Sequence, residues 1–346
     1  MILHVMILDK FLPPFIDFVD KNFGRGEHKY VFITAAKYHF GLTVEHNVEF
    51  LHTDEDIFVT LESYMGMASK ILLHGLWRDK VNALLISNYN YLNKSYWLMW
   101  GGDYYYPANY SNEQLYIMEN VPYMVNILDE DINFVRRVYG AKGKHIRSFV
   151  YTTNVFKKNR PFSNFDGCSR ILLGHSAARD LRHIEYLKRI SYKDEGSLEV
   201  FCPLSYPKND LRYIDEVISS GYNLFSERFH PLQNFIPLEE YREWLTGICF
   251  AVFPSSRQHG MSNMIDLIGH GCKVFLDKDV STWSFFSRVG VTIYPLDELN
   301  FSPIATNLAR ENSERIQNYF SEKRLLRDLS VIFSMELGQD IQLEEL

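Results

Sequence analysis

The segment with the most chemical potential is Pro254-Ser-Ser-Arg-Gln-His-Gly-Met-Ser-Asn-Met-Ile-Asp-Leu-Ile-Gly-His-Gly271, which follows an apolar run and opens a helix. Gly260 allows the backbone to approach a ligand closely, and Ser262 and Asn263 can cap. The first turn of a helix offers unpaired amides and the positive end of its dipole to a diphosphate. Arg257, with Gln258 beside it, adds a charge-assisted fork. Asp266 stands on the same helix, five residues before Gly271, where a carboxylate can accept hydrogen bonds from a ribose diol. The plain alternative is an ordinary capped helix with Asp266 in solvent. A second loop, Leu173-Gly-His-Ser-Ala-Ala-Arg179, also follows a strand and opens a helix. Its Gly174 and Ser176 can cradle phosphate oxygens while His175 or Arg179 offsets their charge. Two such loops suit one diphosphate gripped from two strand ends. In Phe201-Cys-Pro-Leu-Ser-Tyr-Pro207, Tyr206 can form a wall beside them, and a rigid proline turn is the alternative.

In the first half, Trp97-Leu-Met-Trp-Gly-Gly-Asp-Tyr104 places Trp100, Gly101, Gly102 and Asp103 just past a strand end. The glycines permit a tight turn. Asp103 is expected to point into a cleft, where it could take the proton of an acceptor hydroxyl or hold a sugar. His74-Gly75 closes a neighbouring strand, and His74 is the second choice of base. The acidic pairs Asp54-Glu-Asp56 and Asp129-Glu-Asp131 fall at helix starts, where acids favour the dipole, so no metal site is assigned. Neither a Gly-x-Gly-x-x-Gly nor a Gly-x-x-x-x-Gly-Lys-Ser/Thr segment is present, which disfavours dinucleotide and P-loop enzymes.

The elements that must position these residues alternate along the whole chain, short apolar runs with amphipathic stretches, as in parallel α/β folds. Strands are expected at 3–8, 30–34, 71–74 and 96–100, then at 170–173, 198–202, 222–225, 248–253 and 273–276. Helices fit 56–68, 179–190, 209–220, 238–245 and 262–270. The polar stretch 154–167 is the best linker. It separates a first α/β domain (1–155) from a second (156–312), and a helical tail (313–346) returns to the first. Ligands in such sheets bind at the carboxyl ends of the strands, in a cleft between the domains.

A length of 346 residues suits about two domains. With 46% apolar and 23% charged residues the composition is that of an ordinary globular protein. The apolar runs are too short to span a bilayer. The N-terminus reads as a first strand rather than a secretory leader, so a cytoplasmic location is expected. The four cysteines (Cys168, Cys202, Cys249, Cys272) match no zinc or disulfide framework and are expected to be reduced thiols. A net charge of -7 argues against nucleic acid as a partner. Residues 132–165 nevertheless hold no acid and eight cations: Arg136, Arg137, Lys142, Lys144, Arg147, Lys157, Lys158 and Arg160. Such a stretch suits an anionic membrane surface or a phosphate-bearing substrate, or is simply a solvated face.

Together these residues resemble the TDP-N-acetylfucosamine:lipid II N-acetylfucosaminyltransferases of the enterobacterial common antigen pathway. The matching stretches are His74-Gly75, Trp100-Gly-x-Asp103, the Gly-x-Ser loop with Arg179 and His183, Pro203-x-x-Tyr-Pro207 and Arg257-Gln258-x-Gly260. Asp266 is similar in position to the ribose-binding acid of GT-B glycosyltransferases. The resemblance implies a GT-B fold, two Rossmann-like α/β domains facing each other across a cleft. It further implies a dTDP-linked 4-acetamido-4,6-dideoxyhexose donor, a polyprenyl-diphosphate-linked saccharide acceptor, no cofactor, and a place on the inner face of the bacterial inner membrane. The sequence departs from the family at His175-Ser176-Ala177 and at Gly102, where the family has Asn-Ser-Gly and Ala. A different donor or acceptor, a sugar-nucleotide epimerase and a non-catalytic sugar-nucleotide-binding partner remain the other readings.

Overall fold

The computed structural model describes residues 1–158, 167–207 and 210–336. The linker residues Asn159, Arg160, Pro161, Ser163 and Asn164, the helix start at Asn209 and the end of the tail lie outside them. The chain divides into two units, Met1–Val155 with Glu322–Leu346, and Phe156–Ser321.

The first unit is built on seven parallel strands: β1 (Ile2–Met6), β2 (His28–Ile33), β3 (Glu49–Leu51), β4 (Lys70–His74), β5 (Ser95–Leu98), β6 (Tyr123–Val125) and β7 (Lys144–Ile146). Their order is β3-β2-β1-β4-β5-β6-β7. The second unit holds six: β8 (Arg170–Leu173), β9 (Glu199–Pro203), β10 (Phe229–Leu232), β11 (Phe250–Phe253), β12 (Lys273–Leu276) and β13 (Tyr294–Pro295), in the order β10-β9-β8-β11-β12-β13. Every neighbouring pair is parallel. Strands covered on both faces are largely apolar, and β1, β4, β5, β11 and β12 are buried from end to end. Both sheets reverse direction of growth once, between β1 and β4 and between β8 and β11. In sheets of this kind that switch point, at the carboxyl ends of the strands, is where ligands bind.

Several expectations need correcting. Residues 222–225 are not a strand: they end the Leu211–Phe225 helix, whose buried residues Tyr213, Val217, Gly221 and Phe225 recur every fourth position. The strand is β10, and the ring of Phe229 lies where a Cβ on Gly221 would sit, 2.4 Å from it, so the helix needs glycine there. The short strands β3, β6, β7 and β13 carry too few residues to show a period. The tail does not begin at 313. The Thr306–Tyr319 helix runs through that position and is held to the second unit by Ser313 Oγ donating to Gly269 O (2.6 Å) and by Asn312 pairing with the backbone of Thr292. Only the following Glu322–Ser334 helix joins the first unit. There the ammonium of Lys70, at the start of β4, donates to the carbonyls of Ile332 and Phe333 and satisfies the end of that helix.

The thiols are also not all reduced: Cys168 and Cys249 form a disulfide. Cys249 immediately precedes β11 and Cys168 lies just before β8, and the pairing of those two strands brings positions 81 apart in sequence side by side. Cys202 and Cys272 are free and buried. Thiol titration of the unfolded chain is expected to find two reactive thiols before reduction and four after it; four at the outset would contradict the bridge.

Candidate functional site

In the second unit the switch point is built by the loops that leave β8 and β11. Gly174 follows β8 with φ +71°, and its amide donates to Val252 O (2.8 Å). A Cβ there would come within 2.9 Å of the His183 ring, so both conformation and space demand glycine. Gly260, at φ +64°, caps the Met261–Gly269 helix, and a Cβ on it would meet the His175 ring at 2.9 Å. His175 also packs against His259, with ring centroids 5.1 Å apart. The two glycine loops thus interlock through His175. The first turn of the helix, with Ser262 and Asn263 half-buried and Gln258 just before it, presents its amides at the carboxyl end of β11.

Charge in this corner is organised by Asp180, a residue the sequence reading did not single out. Its Oδ2 lies 2.6 Å from His259 Nε2 and 2.9 Å from Arg257 Nε. Burial opposes its charge, but the hydrogen bond and charge of His259 and the Arg257 guanidinium outweigh burial and hold the carboxyl at about 2. Asp180 belongs to the 3₁₀ turn Arg179–Leu181 that follows the β8 loop, whereas both its partners follow β11. One carboxylate therefore ties the two loops and aims Arg257. No spacing signal announces this, because Asp180 and Arg257 meet only once β8 pairs with β11.

Other expected donor residues turn elsewhere. The loop after β8 does not open a helix directly: the 3₁₀ turn intervenes and the helix is His183–Lys193. Arg179 donates to Asp210 and lies over the Tyr213 ring at 4.7 Å, so its guanidinium is engaged with the helix that follows Asp210. Asp266 is not open to a ribose. It is 4% exposed and accepts from Arg242 Nε at 3.1 Å, and burial pushes its carboxyl up to about 6 in spite of that partner. The reason is the helix itself, every residue of which from Met264 to Gly269 is buried. Ser176 is buried, and the exposed Tyr206 is joined to the β8 loop by its carbonyl, which accepts from Ala177 N (2.7 Å). His183 is buried against Tyr213 Oη (3.0 Å), and burial lowers it to about 4.

In the first unit, Asp103 does not point into a cleft. It is fully buried, and its carboxylate accepts from Leu76 N (3.1 Å), Trp97 Nε1 (2.6 Å) and Trp100 N (3.0 Å). Burial pushes it up to about 6 against those three bonds. It is a hub that joins the turns after β4 and β5. The turn Trp100–Asp103 needs Gly101 at φ +90°, and a Cβ on Gly102 would lie 2.8 Å from the Trp77 ring. His74 is equally buried, between His4 Nδ1 (3.1 Å) and Tyr151 Oη (2.9 Å), and burial lowers it to about 3, so it is neutral. Trp100 Nε1 donates to the same Tyr151 oxygen (2.6 Å), and Phe11 packs on both rings. The partly exposed acid at this edge is Asp9, three residues beyond β1. Burial raises its carboxyl above the usual range, and its Oδ1 accepts from Phe11 N at 3.3 Å. A strand-terminal acid was the available signal for it.

Of the cations in 132–165, Arg147 forks onto Asp129 (2.9 Å to each oxygen), Lys142 pairs with Glu119 and Lys157 with Glu239. Arg160 lies outside the described residues. Among the described residues, no three His, Cys, Asp or Glu side chains are grouped to hold a metal ion, and no helix is long and apolar enough to cross a membrane.

Residues 47–319 match the model of the 4-alpha-L-fucosyltransferases, glycosyltransferase group 56. The chain belongs to this family. It is a glycosyltransferase. Solved structures with the same fold include a glycosyltransferase from Rickettsia africae ESF-5, 11% identical over 98% of this chain and 99% of that one, with a TM-score of 0.69. Another is Anabaena Alr3699/HepE in complex with UDP, 11% identical over 97% and 95%, at 0.61. A third is WaaG, a glycosyltransferase involved in lipopolysaccharide biosynthesis, 9% identical over 98% and 100%, at 0.57. The two parallel sheets are thus the two Rossmann-like domains of the GT-B class.

The pairing of Asp180 is open to test by pH. Asp180 falls from an unfolded value near 4 to about 2, so its contribution is complete above pH ~4 and is lost as the pH falls towards 2. Asp180→Asn should cost about 1–2 kcal/mol in urea unfolding at pH 7, discounted for its partial exposure, and much less near pH 2.5. A cost that does not change with pH would contradict the ionic role.

Proposed function

We propose that this glycosyltransferase moves a 4-acetamido-4,6-dideoxyhexose from a dTDP-linked donor to a polyprenyl-diphosphate-linked saccharide. The observation that carries the reading is the β8/β11 switch point, where the Met261–Gly269 helix presents its amides beside an Arg257 aimed by Asp180. Amides at a helix start together with a guanidinium suit the two phosphates of a nucleotide sugar, and they act most strongly as charge builds on the leaving diphosphate. The family description, a 4-alpha-L-fucosyltransferase, supports a 6-deoxyhexose as the sugar. The UDP bound to the Anabaena relative of the same fold supports a nucleoside diphosphate as its carrier. The resemblance in Trp100-Gly-x-Asp103 and Arg257-Gln258-x-Gly260 supports dTDP and the lipid-linked acceptor, met at the inner face of the inner membrane, where the exposed Arg137, Lys144 and Lys158 would face anionic lipid.

In this proposal the acceptor hydroxyl oxygen attacks the anomeric carbon, the bond from that carbon to the diphosphate oxygen breaks, and configuration inverts. The hydroxyl proton goes to Asp9, whose partial burial makes its carboxylate a stronger base than a solvated one. Asp103 and His74, saturated by internal partners, position the Trp100 turn and Tyr151 instead of taking the proton.

Calorimetric titration with dTDP, UDP and GDP, with and without EDTA, tests the donor site. Tightest binding is expected for dTDP and is expected to survive EDTA, with affinity falling at least about tenfold in Arg257→Ala, the scale of one charged hydrogen bond. Binding of none of the three would overturn the reading. Asp9→Asn is expected to keep dTDP affinity while transfer slows by about 10²- to 10⁴-fold. Because the Asp9 carboxyl is raised, the acid limb of the wild-type rate profile should lie above the usual carboxylate range. An unchanged profile in the variant would remove Asp9 from the reaction.

A further inference from the structure

His259 stands immediately before the Gly260 cap of the Met261–Gly269 helix, and only one of its ring nitrogens is engaged. Its Nε2 lies 2.6 Å from Asp180 Oδ2. An ionised carboxylate only accepts hydrogen bonds, and Asp180 is held at about 2, so the hydrogen of that bond belongs to His259 Nε2. This fixes the tautomer: in the neutral ring Nδ1 is bare and carries a lone pair. Among the described residues Nδ1 has no hydrogen-bond partner, and it is not sealed from solvent, the side chain being 11% exposed. Nδ1 is also the ring nitrogen nearer the backbone, and that backbone runs straight into the first turn of the helix.

The charges around the ring decide what the free nitrogen can meet. Arg257 Nε lies 2.9 Å from the same Asp180 oxygen, so with a neutral His259 these three groups carry no net charge. From the β8 loop the imidazole of His175 packs on the ring, with centroids 5.1 Å apart. Arg182, whose Nε donates to Pro254 O at the start of the β11 loop (2.7 Å), is paired with Asp277 after β12 (3.5 Å). A phosphate oxygen brought to the helix amides then faces a lone pair on Nδ1, acceptor against acceptor. One proton on Nδ1 turns it into a donor. The imidazolium so formed stands between the Asp180 carboxylate at one nitrogen and the phosphate at the other, and both anions favour the charged ring.

We infer that His259 is a proton-linked ligand of the donor diphosphate: as the nucleotide binds, the ring takes one proton from solvent onto Nδ1 and donates that N–H to a phosphate oxygen. This rests on the proposal that the diphosphate lies at the carboxyl ends of β8 and β11. Asp180 then has two tasks, holding Arg257 and fixing His259 in the one tautomer in which proton uptake creates a donor at Nδ1. The bound state carries more protons than the free one, so affinity is greatest at low pH and is lost as the pH rises through the value of the ring in the complex.

The test is calorimetric titration of the intact protein with dTDP between pH ~7.5 and ~8.5, where free dTDP has already lost its last phosphate proton. Each titration is repeated in buffers of different ionisation enthalpy, and the dependence of the measured heat on the buffer counts the protons taken up. The wild type is expected to take up protons, with Kd rising about two- to tenfold per pH unit, tenfold being the limit for one proton. His259→Gln keeps an amide that can donate to Asp180 but cannot titrate. In it the uptake is expected to vanish and Kd at pH ~7.5 to rise about three- to tenfold, the scale of one charged hydrogen bond. No uptake in the wild type overturns the inference whatever the variant does, and uptake of the same size in His259→Gln overturns it by assigning the proton to another group. A second measurement needs no variant: in ¹⁵N-histidine-labelled wild type, dTDP should move one ring from a bare to a protonated Nδ1 while its Nε2 stays protonated, and no ring doing so overturns the inference. The two readings fail differently. Binding of dTDP without proton uptake defeats the role of His259 and leaves the donor site, whereas no binding at any of these pH values defeats the donor site and His259 with it.

Discussion

The carboxylate of Asp180 is the constraint on which the corner built by the β8 and β11 loops depends. Partial burial opposes its charge, yet it is held ionised by His259 and Arg257, and those partners come from the loop of a different strand. A flexible arginine at a loop would lose much of its rotamer freedom on binding a phosphate; one already held in place loses less. The interlock of Gly174, His175 and Gly260 does for the backbone what Asp180 does for the charge. Both depend on the parallel register of β8 with β11, in which Ile171 stands opposite Phe250.

Three aspartates show how surroundings decide what a carboxyl can do. Asp180, with His259 and Arg257 as partners, is lowered. Asp266, with Arg242 but almost no solvent, is raised, because desolvation exceeds the attraction. Asp103 has only neutral donors and is raised to a similar level. The first holds the Arg257 guanidinium, and the other two join pieces of the fold: the Leu238–Leu245 and Met261–Gly269 helices in one case, and the turns after β4 and β5 in the other. By contrast Asp9 has few partners and partial exposure, which leaves its carboxylate free to accept a proton.

Much of the architecture was legible because buried parallel strands are continuous apolar runs: β8 and β12 lie where the runs 170–173 and 273–276 put them. The glycine-to-helix transition at Gly260 was legible too, since a left-handed cap followed by a helix has few sequence solutions. What could not be read were side-chain directions and long-range pairings. Asp266 and Arg179 have the right types and spacing for a ligand, but a helix buried on all sides turns the first inward, and Asp210 draws the second away. Asp180 with Arg257, Cys168 with Cys249, and His4 with His74 are contacts made by strand order, which no local pattern encodes. The 222–225 run misled because a helix with apolar residues every fourth position also ends in aromatics.

The most direct measurement of the central claim is a crystal structure of the protein with dTDP bound. The account predicts the diphosphate at the carboxyl ends of β8 and β11, with phosphate oxygens within hydrogen-bond distance of the amides of Met261, Ser262 and Asn263 and of the Arg257 guanidinium, and the Asp180 pairing retained. A diphosphate seated elsewhere, or one that leaves those amides and Arg257 uncontacted, would contradict it.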